Sequence, residues 1–181
     1  MAETDPYERF GAVPSFRLAS TDIDDDAPLA REFRDTPSGG TNTSPQLSWS
    51  GFPADTKSFA VTIWDPDAPT GSGFWHWAVY NIPASVTSLE RGAGSAGGSL
   101  PARALMLKNE YRRREYAGAE PPEGTGIHRY FVIVHAVDVD RLDLDPEATP
   151  AVLGFNLHFH TLARGILVPT AAHDDELPEG E

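Results

Sequence analysis

Asp65, Asp67 and His76 stand close together in the stretch DPDAPTGSGFWHW, and a second histidine, His128, follows a Pro/Gly-rich loop in PPEGTGIHRY. Two carboxylates and two imidazoles can hold an anion on a protonated ring, move protons as an acid/base set, or chelate a divalent ion. For the first chemistry the aspartates are an obstacle, because they repel an anion, so a histidine must be charged when one binds. A neighbouring Asp⁻ raises an imidazole's pKa, which predicts tighter anion binding as pH falls from about 8 to 6, around the ordinary imidazole value of about 6.5. The second and third chemistries amount to an Asp/His phosphoester hydrolase. Ser72 in TGSGFW lacks the strand-to-helix setting of a nucleophile elbow, and the chain is expected not to be an enzyme. The plainest alternative is that Asp65 and Asp67 only cap an Asp-Pro turn.

Strands must position these groups. SFAVTIWD, Ser58 to Asp65, alternates with period two and ends on Asp65. Pro66 and Pro69 remove two backbone donors and stiffen the turn that carries Asp67. FWHWAVYNIP resumes a strand, for which strict alternation puts Trp75, Trp77 and Val79 on one face and His76, Ala78 and Tyr80 on the other. From His128 the pattern runs to Ala136, with Tyr130, Val132 and Val134 on the His128 face and Arg129, Phe131, Ile133 and His135 opposite. Ionisable groups at strand ends beside Pro/Gly loops suit a pocket at a sheet edge. One sheet face cannot bury Trp64, Phe74, Trp75 and Trp77 together, so some should line the cleft or form an exposed patch suited to a homodimer.

These blocks, with AVYNIP and the upstream NTSPQLSW, resemble the phosphatidylethanolamine-binding protein family, in its Raf-kinase-inhibitor-like prokaryotic branch, from about Phe16 to Val168. The resemblance implies a mainly β fold, an antiparallel β-sandwich with one C-terminal helix and a short final strand. It implies a small anion pocket for phosphate-type or phospholipid head groups, lined by Asp65, Asp67, His76, His128 and Tyr130, with no cofactor and no metal. Where the family has Gly-Pro-Pro, with a backbone amide facing the anion, this chain reads Glu120, Pro121, Pro122. The Glu120 carboxylate would oppose a phosphate there, and Arg112, Arg113 and Arg114 would offset it if they face the cleft. Asn42 and Ser44 match the family's N-x-S-P block and should hold loop backbone by hydrogen bonds. The family also implies a regulated protein target, such as a kinase or protease inhibited through the Pro121–Gly126 or Thr70–Gly73 loop.

The remainder of the chain sets the frame. Its 181 residues suit one domain over 1–181, and a net charge of −13 argues against nucleic-acid or anionic-membrane partners. The acid-rich surface, with Lys57 and Lys108 the only lysines, resembles that of proteins from salt-loving organisms, where screening makes carboxylate repulsion tolerable. Cysteine is absent, and neither a signal peptide nor a membrane span is legible, so a cytoplasmic location is expected. Residues 1–14 read as a loosely held arm and residues 171–181 as an acidic flexible tail. Thr21 to Pro28 reads as a solvated acidic turn, and Gly92 to Ser99 as a flexible surface connection. Thr149 and Pro150 open a helix whose apolar stripe is Val152, Phe155, Phe159 and Leu162. On that helix His158 and His160 point apart, against chelation. His135 is expected to be packed or paired, Gly165 to form a tight turn, and Ile166 to Val168 to form the last strand.

Overall fold

A computed structural model of the chain describes residues 5–173. Its organising strand is the apolar run Ser58–Asp65 (β3), paired antiparallel with Phe74–Pro83 (β4) on one side and Phe131–Val137 (β8) on the other. Leu105–Met106 (β6) extends the sheet beyond β4 and Thr161–Leu167 (β9) beyond β8, giving the order β6-β4-β3-β8-β9. Arg17–Ala19 (β1), Leu47–Ser50 (β2) and Ser88–Leu89 (β5) form a second antiparallel sheet. His128–Arg129 (β7) pairs with Thr170–Ala171 (β10). The β-sandwich is closed by a core that includes Leu18, Leu47 and Trp49 from the small sheet and Phe59, Val61, Trp77, Val79, Val132 and Val134 from the large one. Each fully buried aliphatic side chain of this kind is worth about 1.5–3 kcal/mol.

The single α-helix, Pro150–His160 (α1), begins as expected, with Thr149 accepting from the Val152 N–H and proline in the first turn. Its buried face is a correction. Leu153 and Leu157, one turn apart, pack on Ala60, Ala78 and Tyr80, while Val152, Phe155 and Phe159 stay 43%, 67% and 63% exposed. The helix offered two apolar stripes, and the aliphatic pair fits the sheet. Leu162 lies in β9, which follows the helix directly. Gly165 is also a β9 residue rather than a turn: a Cβ there would come within 2.8 Å of the Phe16 ring and 2.9 Å of Leu18 Cβ. A glycine in a strand interior here marks where β1 approaches.

Three segments read as loose are held. Pro6–Phe10 forms a short 3-10 helix that buries Tyr7 against Phe131 and Trp64. In the Gly92–Ser99 connection Ala93 and Gly94 are buried, and the Gly94 N–H donates to Ser44 Oγ at 2.9 Å. In the acidic turn Asp22 accepts from the Gln46 N–H and pairs with Arg91, and Asp25 accepts from the Val168 N–H. Ala171 and Ala172 are buried, and the acidic stretch after His173 lies outside the described residues. No helix among the described residues is long and apolar enough to cross a membrane.

Candidate functional site

The strand that carries His76 does not alternate strictly. Ile63 faces Trp77 and Trp64 faces Trp75 across the β3–β4 pair, which leaves His76 as an extra residue in a β-bulge. The bulge turns His76 to the same side as Trp77, where its ring meets Tyr130 edge-on at 5.1 Å, and sends Trp75 to stack on Trp64 at 5.6 Å on the other face. Strict alternation misplaces His76 because one inserted residue reverses the parity of everything before it. Phe74 closes the other side of His76 at 4.9 Å and touches Tyr111 at the same separation.

Asp65, at the end of β3, serves two structures at once. Its Oδ1 accepts from the N–H groups of Asp67 and Ala68, at 2.8 and 3.0 Å, which fixes the Asp-Pro turn. Its Oδ2 sits 2.7 Å from His128 Nδ1. The far nitrogen of His128, Nε2, lies 2.8 Å from Thr125 Oγ1, and that hydroxyl reaches the Pro122 carbonyl at 2.6 Å. A carbonyl can only accept, and threonine has one hydroxyl proton, so Thr125 donates to Pro122 and accepts from Nε2–H. Nδ1 faces a carboxylate and carries a proton as well. By this donor count His128, 0% exposed, is assigned as an imidazolium whose counter-ion is Asp65.

Asp67 takes a different role from the expected pocket wall. Arg129 grips it through Nε at 2.8 Å, Nη2 at 2.7 Å and the backbone N–H at 2.9 Å. Burial works against its charge, but these bonds outweigh it and hold the Asp67 carboxyl below the usual range. The pair ties the Asp-Pro turn to β7.

His76 is buried and its Nδ1 lies 3.0 Å from the Ala117 carbonyl, so Nδ1 is the protonated nitrogen and the neutral ring keeps its lone pair on Nε2. Burial pushes its pKa below the ordinary value, against the opposing pull of Asp65 and of the Ala117 and Gly118 backbone. An aspartate-raised imidazole is thus not what this position holds, because desolvation wins. The Ala117 carbonyl is itself positioned from upstream. Asn42, at φ 52°, accepts from the Gly118 N–H at 2.6 Å and donates to Asp35 Oδ1 at 2.6 Å. A Cβ on Gly118 would fall 2.2 Å from the Arg34 carbonyl carbon. Ser44 accepts from Gly94 in the same manner, so both residues of the N-x-S-P block do bond loop backbone. Asn42→Ala strands the Gly118 N–H and removes a residue suited to positive φ. It should lower stability by about 2 kcal/mol, read as a drop of about 1 M in the urea midpoint.

Tyr130 is the exception to these satisfied contacts. Its hydroxyl is buried and has no hydrogen-bond partner among the described residues, and burial, then Asp65, raises its pKa well above the ordinary tyrosine value. Glu120 stands at the rim, where it accepts from the Tyr111 hydroxyl at 3.3 Å. That hydroxyl is pushed up to about 12 by burial and then by Glu120. Pro122 is exposed and acts through its carbonyl on Thr125. Of the arginine run, Arg113 pairs with Glu115 and lies over the Tyr111 ring at 5.1 Å, on the Glu120 side, whereas Arg114 pairs with Glu147 and Arg112 is exposed. His158 and His160 do not converge, since His160 pairs with Asp138 and His158 is exposed. Among the described residues no three His, Cys, Asp or Glu side chains are grouped to hold a metal ion.

Asp65, His76, His128 and Tyr130 thus meet in one buried group, with Asp67 held beside it by Arg129 and Glu120 and Pro122 at its edge. Thr125 and Arg129 were missed from sequence. For Thr125, its place three residues before His128 in a turn was the available signal. Arg129 gave none, since its partner lies 62 residues away.

Comparison with known proteins agrees with this architecture. Residues 19–172 match the phosphatidylethanolamine-binding protein family. YbhB of Escherichia coli (strain K12) is 46% identical over 149 residues, covering 81% of this chain and 94% of that protein. A protein of Methanothermobacter thermautotrophicus is 39% identical over 130 residues, covering 71% of this chain and 82% of its own. The crystal structure of E. coli YbcL, described as a new member of the mammalian family, superposes with a TM-score of 0.82 at 40% identity, covering 86% of this chain and 97% of that one. The fold, the motif order and these matches place the chain in the phosphatidylethanolamine-binding protein family.

Proposed function

We propose that this chain is a binding protein whose Asp65/His76/His128/Tyr130 group takes a phosphate-type head group. The observation that carries the reading is the buried, unpartnered Tyr130 hydroxyl beside a neutral His76. A buried polar group without a partner costs about 1–3 kcal/mol, and a ligand that accepts from it removes that cost. His76 Nε2 offers a lone pair, so the best ligand is an anion that also brings one proton: a singly protonated phosphate monoester accepts from Tyr130 and donates to His76. The charge of Asp65 is neutralised by His128, which removes the repulsion that the sequence suggested. Both His128 nitrogens and both Asp65 oxygens are engaged within the protein, which favours holding a ligand over turning it over.

Calorimetry with inorganic phosphate and phosphoethanolamine across pH 8 to 5 tests this. As pH falls, affinity should rise about tenfold per unit while the dianion predominates, and level off below the ligand's second pKa, near ~6 for the monoester and higher for inorganic phosphate. Tyr130→Phe and His76→Gln should each weaken binding at least tenfold with little change in melting temperature. A pH-independent affinity, or full binding by both variants, would exclude the site.

A further inference from the structure

On the face of the large sheet opposite the Asp65/His128 group, a cavity of about 360 Å³ lies between α1 and the N-terminal 3-10 helix. That volume is within the range of small-molecule sites. Its walls are aromatic: Tyr7 and Phe10 on one side, the stacked Trp64 and Trp75 on the sheet, and Phe155 from the exposed stripe of α1. Set into this apolar lining is Arg164, 8% exposed. Among the described residues it has no carboxylate within ion-pair distance. Its Nε has no hydrogen-bond partner, and its single hydrogen bond is a long one, Nη1 to the Gly11 carbonyl at 3.4 Å. The guanidinium otherwise lies over the Tyr7 ring at 5.4 Å. The Asp5 charge acts on it from beyond ion-pair distance, and the Asp5 carboxylate accepts from the Tyr7 N–H. A buried guanidinium remains charged, and a buried charge is normally paired.

The floor of the helix over this cavity is a separate observation. Gly154 sits in the interior of α1 and lines the cavity, and a Cβ built on it meets nothing within 4 Å. Glycine weakens a helix interior, no backbone angle here requires it, and any larger residue would occupy the cavity.

We propose that this cavity binds a small amphiphilic carboxylate, with the carboxylate on the Arg164 guanidinium and the apolar body between the Trp64/Trp75 stack and Phe155. A carboxylate matches the planar donor fork of arginine, and an aromatic body suits the aromatic walls. This site is independent of the phosphate-type site across the sheet.

Phenylbutyrate is the probe, followed by calorimetry and tryptophan fluorescence. Trp49 and Trp77 are sealed in the sandwich core, so a fluorescence change reports on Trp64 and Trp75. The full chain should bind one equivalent saturably, and phenylbutanol and phenylbutylamine should bind at least tenfold more weakly, about the discrimination expected of one charged hydrogen-bonded contact. Arg164→Gln should bring the acid to the level of the alcohol and leave the alcohol unchanged. Gly154→Leu, which fills open space, should abolish binding of the acid with no fall in melting temperature and no change in phosphate binding. The proposal is overturned if phenylbutyrate does not saturate at millimolar concentration, if acid and alcohol bind alike, or if Gly154→Leu still binds. It is equally overturned if sedimentation shows a dimer that covers the cavity and excludes the probe.

Discussion

Asp65→Ala is expected to lower folding stability by about 3–5 kcal/mol, the range for removing one partner of a buried ion pair. That is a large share of the roughly 5–15 kcal/mol a domain has in total. The loss has two parts. The buried His128 imidazolium would keep its bond to Thr125 but lose its counter-ion, and the Asp67 and Ala68 N–H groups would lose their acceptor. Asp65→Asn separates these parts, because its amide oxygen can still accept from the turn while its NH2 faces a protonated Nδ1 and forces His128 toward the neutral form. It should therefore cost less than Asp65→Ala. His128→Ala should itself destabilise, and the double variant Asp65→Ala/His128→Ala should lose less than the sum, with a coupling of about 1–3 kcal/mol. Urea denaturation of the four proteins at pH 7 gives the cycle. Additive losses would show that Asp65 and His128 are not energetically coupled and would overturn the buried ion pair.

The same residues show what can be read from a chain and what cannot. The spans of β3 and β4 and the start of α1 follow from local rules: period-two alternation bounded by proline and glycine, and a threonine cap before proline. Local rules fail where the fold answers to something distant. The bulge at His76 leaves no mark on composition, yet it reverses which face the histidine occupies. Leu153 and Leu157, rather than Val152, Phe155 and Phe159, are buried with Ala60, Ala78 and Tyr80, partners distant from α1 in sequence. Tyr7 is buried because Trp64 and Phe131 present an aromatic surface for it, which no pattern within residues 5–14 contains. The gathering of Asp65, His76 and His128 was implied by the family resemblance rather than by periodicity, whereas the Asp67–Arg129 pair was legible in neither.

His135 is expected to make the fold acid-labile well before its carboxylates titrate. It is buried on β8 with Nδ1 3.2 Å from Thr161 Oγ1, and burial first, then the neighbouring Arg164 charge, lowers its pKa to about 3. In the unfolded chain its value is about 6.5. Between those two values the unfolded state holds a proton that the folded state refuses, so stability is complete above about pH 6.5 and falls as pH drops. One such proton corresponds to about 1.4 kcal/mol per pH unit, or roughly 2–3 kcal/mol lost by pH 4.5. His76, also depressed by burial, acts in the same direction. The lowered carboxyls Asp22 and Asp67 act with the same sign but only below the ordinary aspartate value near ~3.9, so the stretch from pH 6.5 to 4.5 belongs to the histidines. His135→Asn, which retains a hydrogen-bonding group near Thr161, should be less stable at pH 7 yet lose less on acidification, its slope shallower by close to one proton. Unfolding free energies from urea titrations at pH 7.0, 5.5 and 4.5 decide the matter: parallel pH dependences for the two proteins would mean that His135 carries its proton in the folded state, with water or an acid reaching the far side of its ring.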